Sequence, residues 1–417
     1  MTPSNQRCSV AIIGGGAAGI TAAAVLRKRA PQLSVTIVEP SSTHDYQPAW
    51  TLVGAGEYDV ATTRRRLKAV LPAGVSLIQQ RAHSFEPTSN RVQLEDGSIL
   101  EYEQLIVAAG LQTNWQLIDG LVDTLGKNGV CSNYSYDTAP YTWECVQGMQ
   151  NGRALFTQPP MPIKCPGAPQ KILYMAADHF KRKGRKVELG FCNAGPAIFG
   201  VPFYAKALMQ VVKHYGIATH FGYNLVAVNG PGKEAVFETT VDGMKIRHIE
   251  KFDMLHVTPP QSAPDFIKNS PLADAAGFVA VNKHSLQSTL FPNVFALGDC
   301  AGTANSKTAA AVRAQAPIMV SNLLALRMGS ALSAQYDGYA SCPLTTSVGK
   351  IILAEFGYDG VVMPSFAADP RKPARRYWHL KKRFLPWLYW NQMLMGNTGP
   401  DWHAKREYPD TLPSISP

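Results

Sequence analysis

Two of the seven cysteines stand where they could react. Cys165 lies in Pro159-Pro-Met-Pro-Ile-Lys-Cys-Pro-Gly-Ala-Pro-Gln-Lys171, where prolines stiffen the chain on both sides and Lys164 and Lys171 supply cations. A neighbouring ammonium favours the thiolate, which is the nucleophilic form. Cys342 lies in Tyr336-Asp-Gly-Tyr-Ala-Ser-Cys-Pro-Leu-Thr345, which reads as a second rigid loop ending in Cys-Pro. Both read as presented thiols. Cys8 and Cys192 read as buried fillers in or beside strands, Cys145 as a helix residue, and Cys300 as a small buried residue. The cysteine count is odd and no pair is spaced C-x-x-C. That speaks against a zinc site and a secreted disulfide framework, so no metal is expected and any disulfide is expected to be catalytic.

A second constellation could hold a dinucleotide. The apolar run Val10-Ala-Ile-Ile13 reads as a strand, Gly14-Gly-Gly-Ala-Ala-Gly19 as a turn, and the next ten residues as a helix. Gly14 permits the tight turn, Gly16 lets backbone approach a pyrophosphate, and Gly19 lets helix pack on strand, with Ala18 inside the same turn. The helix start offers free N–H groups and a positive dipole end to phosphate. A second strand, Val35-Thr-Ile-Val38, ends on Glu39, placed to accept from a ribose 2′-OH and to repel a 2′-phosphate. FAD or NAD is therefore expected rather than NADP.

Two further glycine-rich strand ends follow, Ala108-Ala109-Gly110 and Gly298-Asp299. Ligands sit at the carboxyl ends of strands in an open parallel sheet, so three separated ends imply one extended cofactor. Asp299 could accept from a sugar-alcohol chain. A helix starting near Ser306-Lys307-Thr308 would aim its positive end, with Lys307, at the pyrimidine side of a reduced flavin.

These elements need a large scaffold, and 417 residues can supply two or three domains. Strand and helix alternate over the first hundred residues, with a hairpin at 92–100 around Asp96-Gly97. A second α/β unit begins near residue 120, with a strand at 186–191, a helix over about 204–214 and a meander from 224 to 257. The fold class is α/β: two Rossmann-like dinucleotide-binding domains plus a C-terminal membrane-attachment segment. Residues 1–115 and 285–345 are expected to form the FAD-binding domain, 116–284 the second Rossmann-like domain, and 346–417 the C-terminal attachment region.

The net charge of +10 is clustered at residues 64–66, 181–186, 371–376 and 381–383. The first two clusters read as solvated surface. No recognition module accompanies them, so nucleic acid is not an expected partner. Residues 375–396 combine cations with Trp378, Phe384, Trp387, Tyr389 and Trp390. Such a mixture favours an anionic bilayer surface, as a monotopic anchor that Pro386 splits into two short helices. No signal peptide and no apolar run of 18 residues is seen. The expectation is a peripheral protein of the bacterial cytoplasmic membrane.

The three-part cofactor pattern resembles the flavoproteins with two dinucleotide-binding domains. Six segments further resemble the sulfide:quinone oxidoreductase family, in its mitochondrial-like subgroup: residues 46–56, 164–171, 254–260, 306–312, 336–344 and 352–356. They span nearly the whole chain in the family order. The resemblance implies an FAD enzyme that oxidises sulfide and reduces ubiquinone or menaquinone. It implies that Cys165 and Cys342 form the redox pair, with HS⁻ attacking Cys342 and Cys165 released toward the flavin. It also places Gln47 at the cofactor and Phe356 at the quinone. A sulfide, thiol or sulfite acceptor would remove the sulfur. Cys131 stands near where related bacterial types place a third cysteine, so it is a candidate third thiol. The oligomeric state is open, a homo-oligomer included.

Rival readings make different demands. A type II NADH:quinone oxidoreductase needs a second fingerprint, but residues 190–200 (Gly-Phe-Cys-Asn-Ala-Gly-Pro-Ala-Ile-Phe-Gly) have the wrong spacing and Pro196 lacks a donor. A glutathione-reductase-like enzyme needs C-x₄-C after the first helix, which is absent. A non-enzymatic flavin-binding protein has no use for two stiffly held thiols.

Overall fold

A computed structural model describes residues 5–400, 402–409 and 411–413. Its first sheet has seven strands. Val75–Ile78, Val35–Val38, Asn5–Ile13 and Ile99–Val107 run parallel, with Ile12 registered between Ile37 and Ile106. The long strand Ile99–Val107 is shared. Its first half pairs with the antiparallel hairpin Ala82–Glu86 and Arg91–Leu94, while Leu105–Val107 pairs in parallel with Val294–Ala296. Residues 294–296 thus return to a sheet begun at residue 5, which is how a distant Gly-Asp reaches the same edge.

The sequence dictates the packing here. Residues 10–13 are buried: Val10 and Ile12 share a core with the helices on one face, and Ala11 and Ile13 share one with the hairpin and residues 263–301 on the other. The helix Ala17–Arg29 is buried from Ala18 through Leu26 and packs on Ala309–Arg327. A Cβ on Gly19 would stand 1.9 Å from the Gly14 carbonyl oxygen, so only glycine lets this helix lie so close. Among the described residues, Ala309–Arg327 is the one helix long and apolar enough to cross a membrane, yet half of it is buried inside the protein.

The second sheet is parallel, in the order Val130–Cys131, Met254–His256, Asn151–Gln158, Lys186–Asn193, Ala218–Phe221. The expected meander ends sooner than residue 257. Asn224–Asn229, Glu234–Val241 and Met244–Lys251 form an antiparallel sheet, and the fully buried Met254–His256 rejoins the parallel one. A ribbon of Gln112–Thr113 and Gln261–Ser262 joins the two crossings between sheets.

Two local expectations are corrected. Cys342 is not in a loop but in the strand Ala340–Ser347, paired with Lys350–Phe356 and facing Ala354. The boundary drawn at residue 345 cuts this single hairpin. In the C-terminal segment, Pro386 does not split the helix. Arg375–His379, a π turn at Leu380–Phe384 and Leu385–Asn391 run on continuously, with Pro386 in the first turn of the last piece. The wider π turn takes up the missing N–H and the crowded carbonyl four residues earlier.

Gly19→Ala should lower stability by about 2–3 kcal/mol through overpacking. Calorimetry checks this, and an unchanged melting temperature would refute the close-packing argument.

Candidate active site: a dithiol beside a dinucleotide cradle

The three strand ends converge. A Cβ on Gly14 would meet the Ala108 carbonyl oxygen at 2.5 Å and Ala109 Cα at 2.9 Å, and one on Gly298 would meet Ala18 Cβ at 2.8 Å. The helix Ala17–Arg29 has no side-chain cap and no acid in its first turn, which leaves its N–H groups for a ligand. No atom lies within 4 Å of where a Cβ would stand on Gly16 or Gly110. Glu39 accepts from the Gly15 and Ser41 N–H groups at 2.8 Å, which fixes the carboxylate beside the glycine turn. The cradle fits FAD.

At the other end stand Asp299 and Lys307. Burial pushes the Asp299 carboxyl up, against the pull of the Lys307 and Lys164 ammonium groups. Lys307 is buried and donates to the Ala301 and Thr303 carbonyls at 2.6 and 3.1 Å. Thr308 caps the helix Ala309–Arg327 by accepting from Ala311 N–H. Gln47 accepts from Lys164 Nζ at 2.8 Å.

The same helix start holds the first thiol. Cys165 N–H donates to the Lys307 carbonyl at 2.8 Å. Cys165 has φ +50°, the left-handed region that costs a non-glycine residue strain. Its sulfur lies 3.3 Å from Cys342 Sγ, across 177 residues of sequence. A Cβ on Gly167 would stand 2.7 Å from Cys342 Sγ and 2.3 Å from Leu344, so this glycine admits the strand that carries the second thiol.

The two thiols differ in charge. Lys171, in the first turn of the helix Ala168–Arg182, donates from Nζ to Cys165 Sγ at 2.9 Å. The Cys342 thiol's hydrogen bond and the Lys171 charge hold Cys165 well below the usual thiol range, although burial opposes them. Cys342 is pushed well above that range by donating to Cys165 and by burial. Cys165 is therefore the thiolate and Cys342 the thiol.

Some groups at the site were not foreseen. Lys381, expected on a membrane-facing surface, is buried and donates to the Pro48 carbonyl. Burial and the nearby Lys171 hold its ammonium down to about 7, while Cys165 and Cys342 pull the other way. The π turn rotates it inward, a signal the cationic run Lys381-Lys-Arg383 conceals. Tyr134 is buried; burial and the charge on Cys165 push its pKa up, while the Thr258 hydroxyl opposes them. The helix Leu385–Asn391 also reaches the cradle. Tyr389 Oη lies 2.6 Å from His44 Nε2, and His44 Nδ1 lies 3.0 Å from the Gly15 carbonyl oxygen.

Of the five aromatics read as interfacial, Trp378, Tyr389 and Trp390 are buried, while Phe384 and Trp387 are 39% and 49% exposed. Arg65, read as solvated surface, lies over the Trp390 ring. Phe356 is buried edge-on to Phe199 and beside Tyr204. Cys131 is not brought to the pair; its thiol neighbour is Cys145. At the place of a second fingerprint, Asn193 closes the loop on itself through Gly195 N–H and the Ala197 carbonyl, and the next helix starts only at Pro202.

Comparison with known proteins agrees with this class, a flavoprotein with two dinucleotide-binding folds. The family model described as pyridine nucleotide-disulphide oxidoreductase matches residues 8–140. Mouse mitochondrial sulfide:quinone oxidoreductase is 42% identical over 94% of this chain and 87% of its own. The Dictyostelium discoideum mitochondrial enzyme is 43% identical over 93% and 86%. The X-ray structure of the Aquifex aeolicus sulfide:quinone oxidoreductase shares the fold, with a TM-score of 0.77, 19% identity, and 95% and 93% of the two chains covered. The chain belongs to the sulfide:quinone oxidoreductase family, and its cofactor is FAD.

Replacing Lys171 by Met should raise the Cys165 pKa, because the compensating cation is gone. In the reduced protein at pH 7, alkylation of Cys165 by iodoacetamide should slow by about tenfold or more, one pKa unit or greater. An unchanged pH midpoint would show that Lys171 does not hold the thiolate.

Proposed function

We propose that this oxidoreductase converts sulfide to sulfane sulfur at Cys165 and Cys342, and passes the electrons through FAD to a membrane quinone. The carrying observation is the pair itself: two thiols 3.3 Å apart, one ionised against Lys171 and tied by its backbone to the start of the Lys307 segment.

In the oxidised protein the two sulfurs are joined, directly or through one bridging sulfur. For the direct bond, HS⁻ attacks the Cys342 sulfur. A bond forms between sulfide and Cys342, the Cys342–Cys165 bond breaks, and its electron pair leaves on Cys165. Lys171 compensates that charge at 2.9 Å. A proton shed by H₂S passes to Lys381, whose ammonium titrates at about 7. A sulfide, thiol or sulfite then removes the outer sulfur from Cys342, leaving two thiolates. Re-forming the cross-link releases two electrons.

FAD, when bound, supplies the two-electron acceptor between this pair and the quinone. Gly14, Gly16, Ala18 and Gly19 would hold its pyrophosphate, Glu39 its ribose, and Ala109, Gly110, Gly298 and Asp299 its remaining length, with Gln47 and Lys307 at the reactive end. The quinone, ubiquinone or menaquinone, would approach past Phe356. Arg376, Arg383, Phe384 and Trp387 line an open groove on the outer face of the C-terminal helix, and this face would meet the bilayer. A nicotinamide nucleotide would find no phosphate cradle at residues 193–202, which favours sulfide over NADH as donor.

Anaerobic titration of the yellow protein with sulfide should bleach the flavin, and decylubiquinone should restore the colour. Cys165→Ser and Cys342→Ser should each slow bleaching by roughly a thousandfold or more, as expected for groups acting as one unit. Bleaching by NADH with sulfide inert would defeat the proposal.

A further inference from the structure

The C-terminal helix that exposes Phe384 and Trp387 also touches the glycine turn of the cofactor cradle, and it does so through one histidine. His44 stands on the two-stranded ribbon of Thr43–Asp45 and Arg64–Arg66, opposite Arg65. Both nitrogens of this buried imidazole are engaged: Nδ1 lies 3.0 Å from the Gly15 carbonyl oxygen and Nε2 lies 2.6 Å from Tyr389 Oη. A carbonyl only accepts, so Nδ1 carries the proton, and in the neutral ring Nε2 accepts from the tyrosine. Burial keeps the ring neutral by holding His44 below its ordinary value. Surrounding contacts fix the helix in place. The Tyr46 ring lies 4.7 Å from that of Tyr389, the Arg65 guanidinium lies 4.2 Å over Trp390, and a Cβ on Gly396 would stand 2.8 Å from the Ala24 backbone. Both polar groups of Gly15 are thus taken, its N–H by Glu39 at 2.8 Å and its carbonyl by His44. The peptide from Gly15 to Gly16 is trans, so the Gly16 N–H points away from His44. Among the described residues that N–H has no protein partner, and no atom lies within 4 Å of where a Gly16 Cβ would stand.

We infer that His44 and Tyr389 are positioning residues for the cofactor: the imidazole holds the Gly15 carbonyl so that the Gly16 N–H is aimed at the FAD pyrophosphate, and the Tyr389 hydroxyl holds the imidazole. A peptide between two glycines is free to rotate, because no side chain hinders it. The histidine removes that freedom before the ligand arrives, so binding does not have to. Without the hydroxyl, Nε2 loses its partner and the ring loses its fixed tautomer. Tyr389 belongs to the helix whose outer face is proposed to meet the bilayer, so seating that helix on a membrane also secures the turn. Membrane attachment and cofactor retention are then linked, and each favours the other by the same factor. The link rests on the proposed membrane face; the positioning role does not.

Release of FAD from the holoenzyme tests this, followed as the rise in flavin fluorescence after dilution, in plain buffer and with vesicles of phosphatidylcholine and phosphatidylglycerol. In plain buffer His44→Leu should release FAD about fivefold to tenfold faster than wild type, the effect of losing one hydrogen bond. Tyr389→Phe, which keeps the ring and loses only the hydroxyl, should also be faster, and it carries the comparison if His44→Leu does not fold. His44→Asn still offers an N–H to the Gly15 carbonyl but cannot reach Tyr389, and it should stay close to wild type. Vesicles should slow release from wild type and from none of the three variants. Wild-type release rates in His44→Leu and Tyr389→Phe overturn the inference. So does a His44→Asn as fast as His44→Leu, which would mark a general loss of packing. An equal vesicle effect in wild type and Tyr389→Phe overturns the link to the membrane. Wild type that does not sediment with the vesicles overturns that link together with the proposed membrane face, while the rates in plain buffer decide the positioning role by themselves.

Discussion

The structure depends on holding two sulfurs at 3.3 Å while only one of them is charged. Two thiolates at that distance would repel; two thiols would be poor nucleophiles. Lys171 resolves the conflict by ionising Cys165 alone, and Cys342 then donates to the charge so created. The backbone is bent to serve this contact. Cys165 adopts φ +50°, and Gly167 gives up its side chain so that the hairpin strand Ala340–Ser347 can reach it. Strain of this kind persists where the surroundings over-determine it, and here a helix start, a hairpin and a buried lysine all do so.

The thiol site and the cofactor cradle share parts. The bond from Cys165 N–H to the Lys307 carbonyl ties the reactive loop to the segment that starts the helix Ala309–Arg327. Gly298 touches Ala18, which ties that segment's strand to the first helix. The C-terminal helix closes the circuit from outside. Lys381 turns toward the dithiol, and Tyr389 reaches through His44 to the Gly15 carbonyl. One face of that helix belongs to the core, while Phe384 and Trp387 stay open to the surroundings.

Whatever was encoded locally could be read in advance. The turn from Gly14 to Gly19 needs only its own glycines and the strand before it, so its place and purpose were legible. The hairpin at Asp96-Gly97 was legible for the same reason: Gly97 takes φ +82° and Asp96 accepts the Ser98 N–H. Cys165 stood out through its prolines and lysines, but its pairing with Cys342 came from resemblance, since no local rule joins residues so far apart. Cys342 was misplaced in a loop because Pro343 disguised a strand; proline is tolerated because both strands of a two-stranded hairpin are edges. Lys381 was misread because its neighbours Lys382 and Arg383 are surface cations, and only the π turn separates their directions. The surroundings of Cys131 were not legible, because the sequence does not say which helix covers a two-residue strand.

The separation of 177 residues between the paired sulfurs has a meaning for the life of the molecule. Closing so long a loop carries a large entropic cost, and nothing short of both sheets and the hairpin in place offsets it. A chain still leaving the ribosome, or one that has misfolded, therefore carries these cysteines as strangers, with Lys171 not yet held against one and no neighbour to complete the other. Reactivity arrives with the native topology and disappears with it, so the finished architecture is itself the safeguard against stray sulfur chemistry.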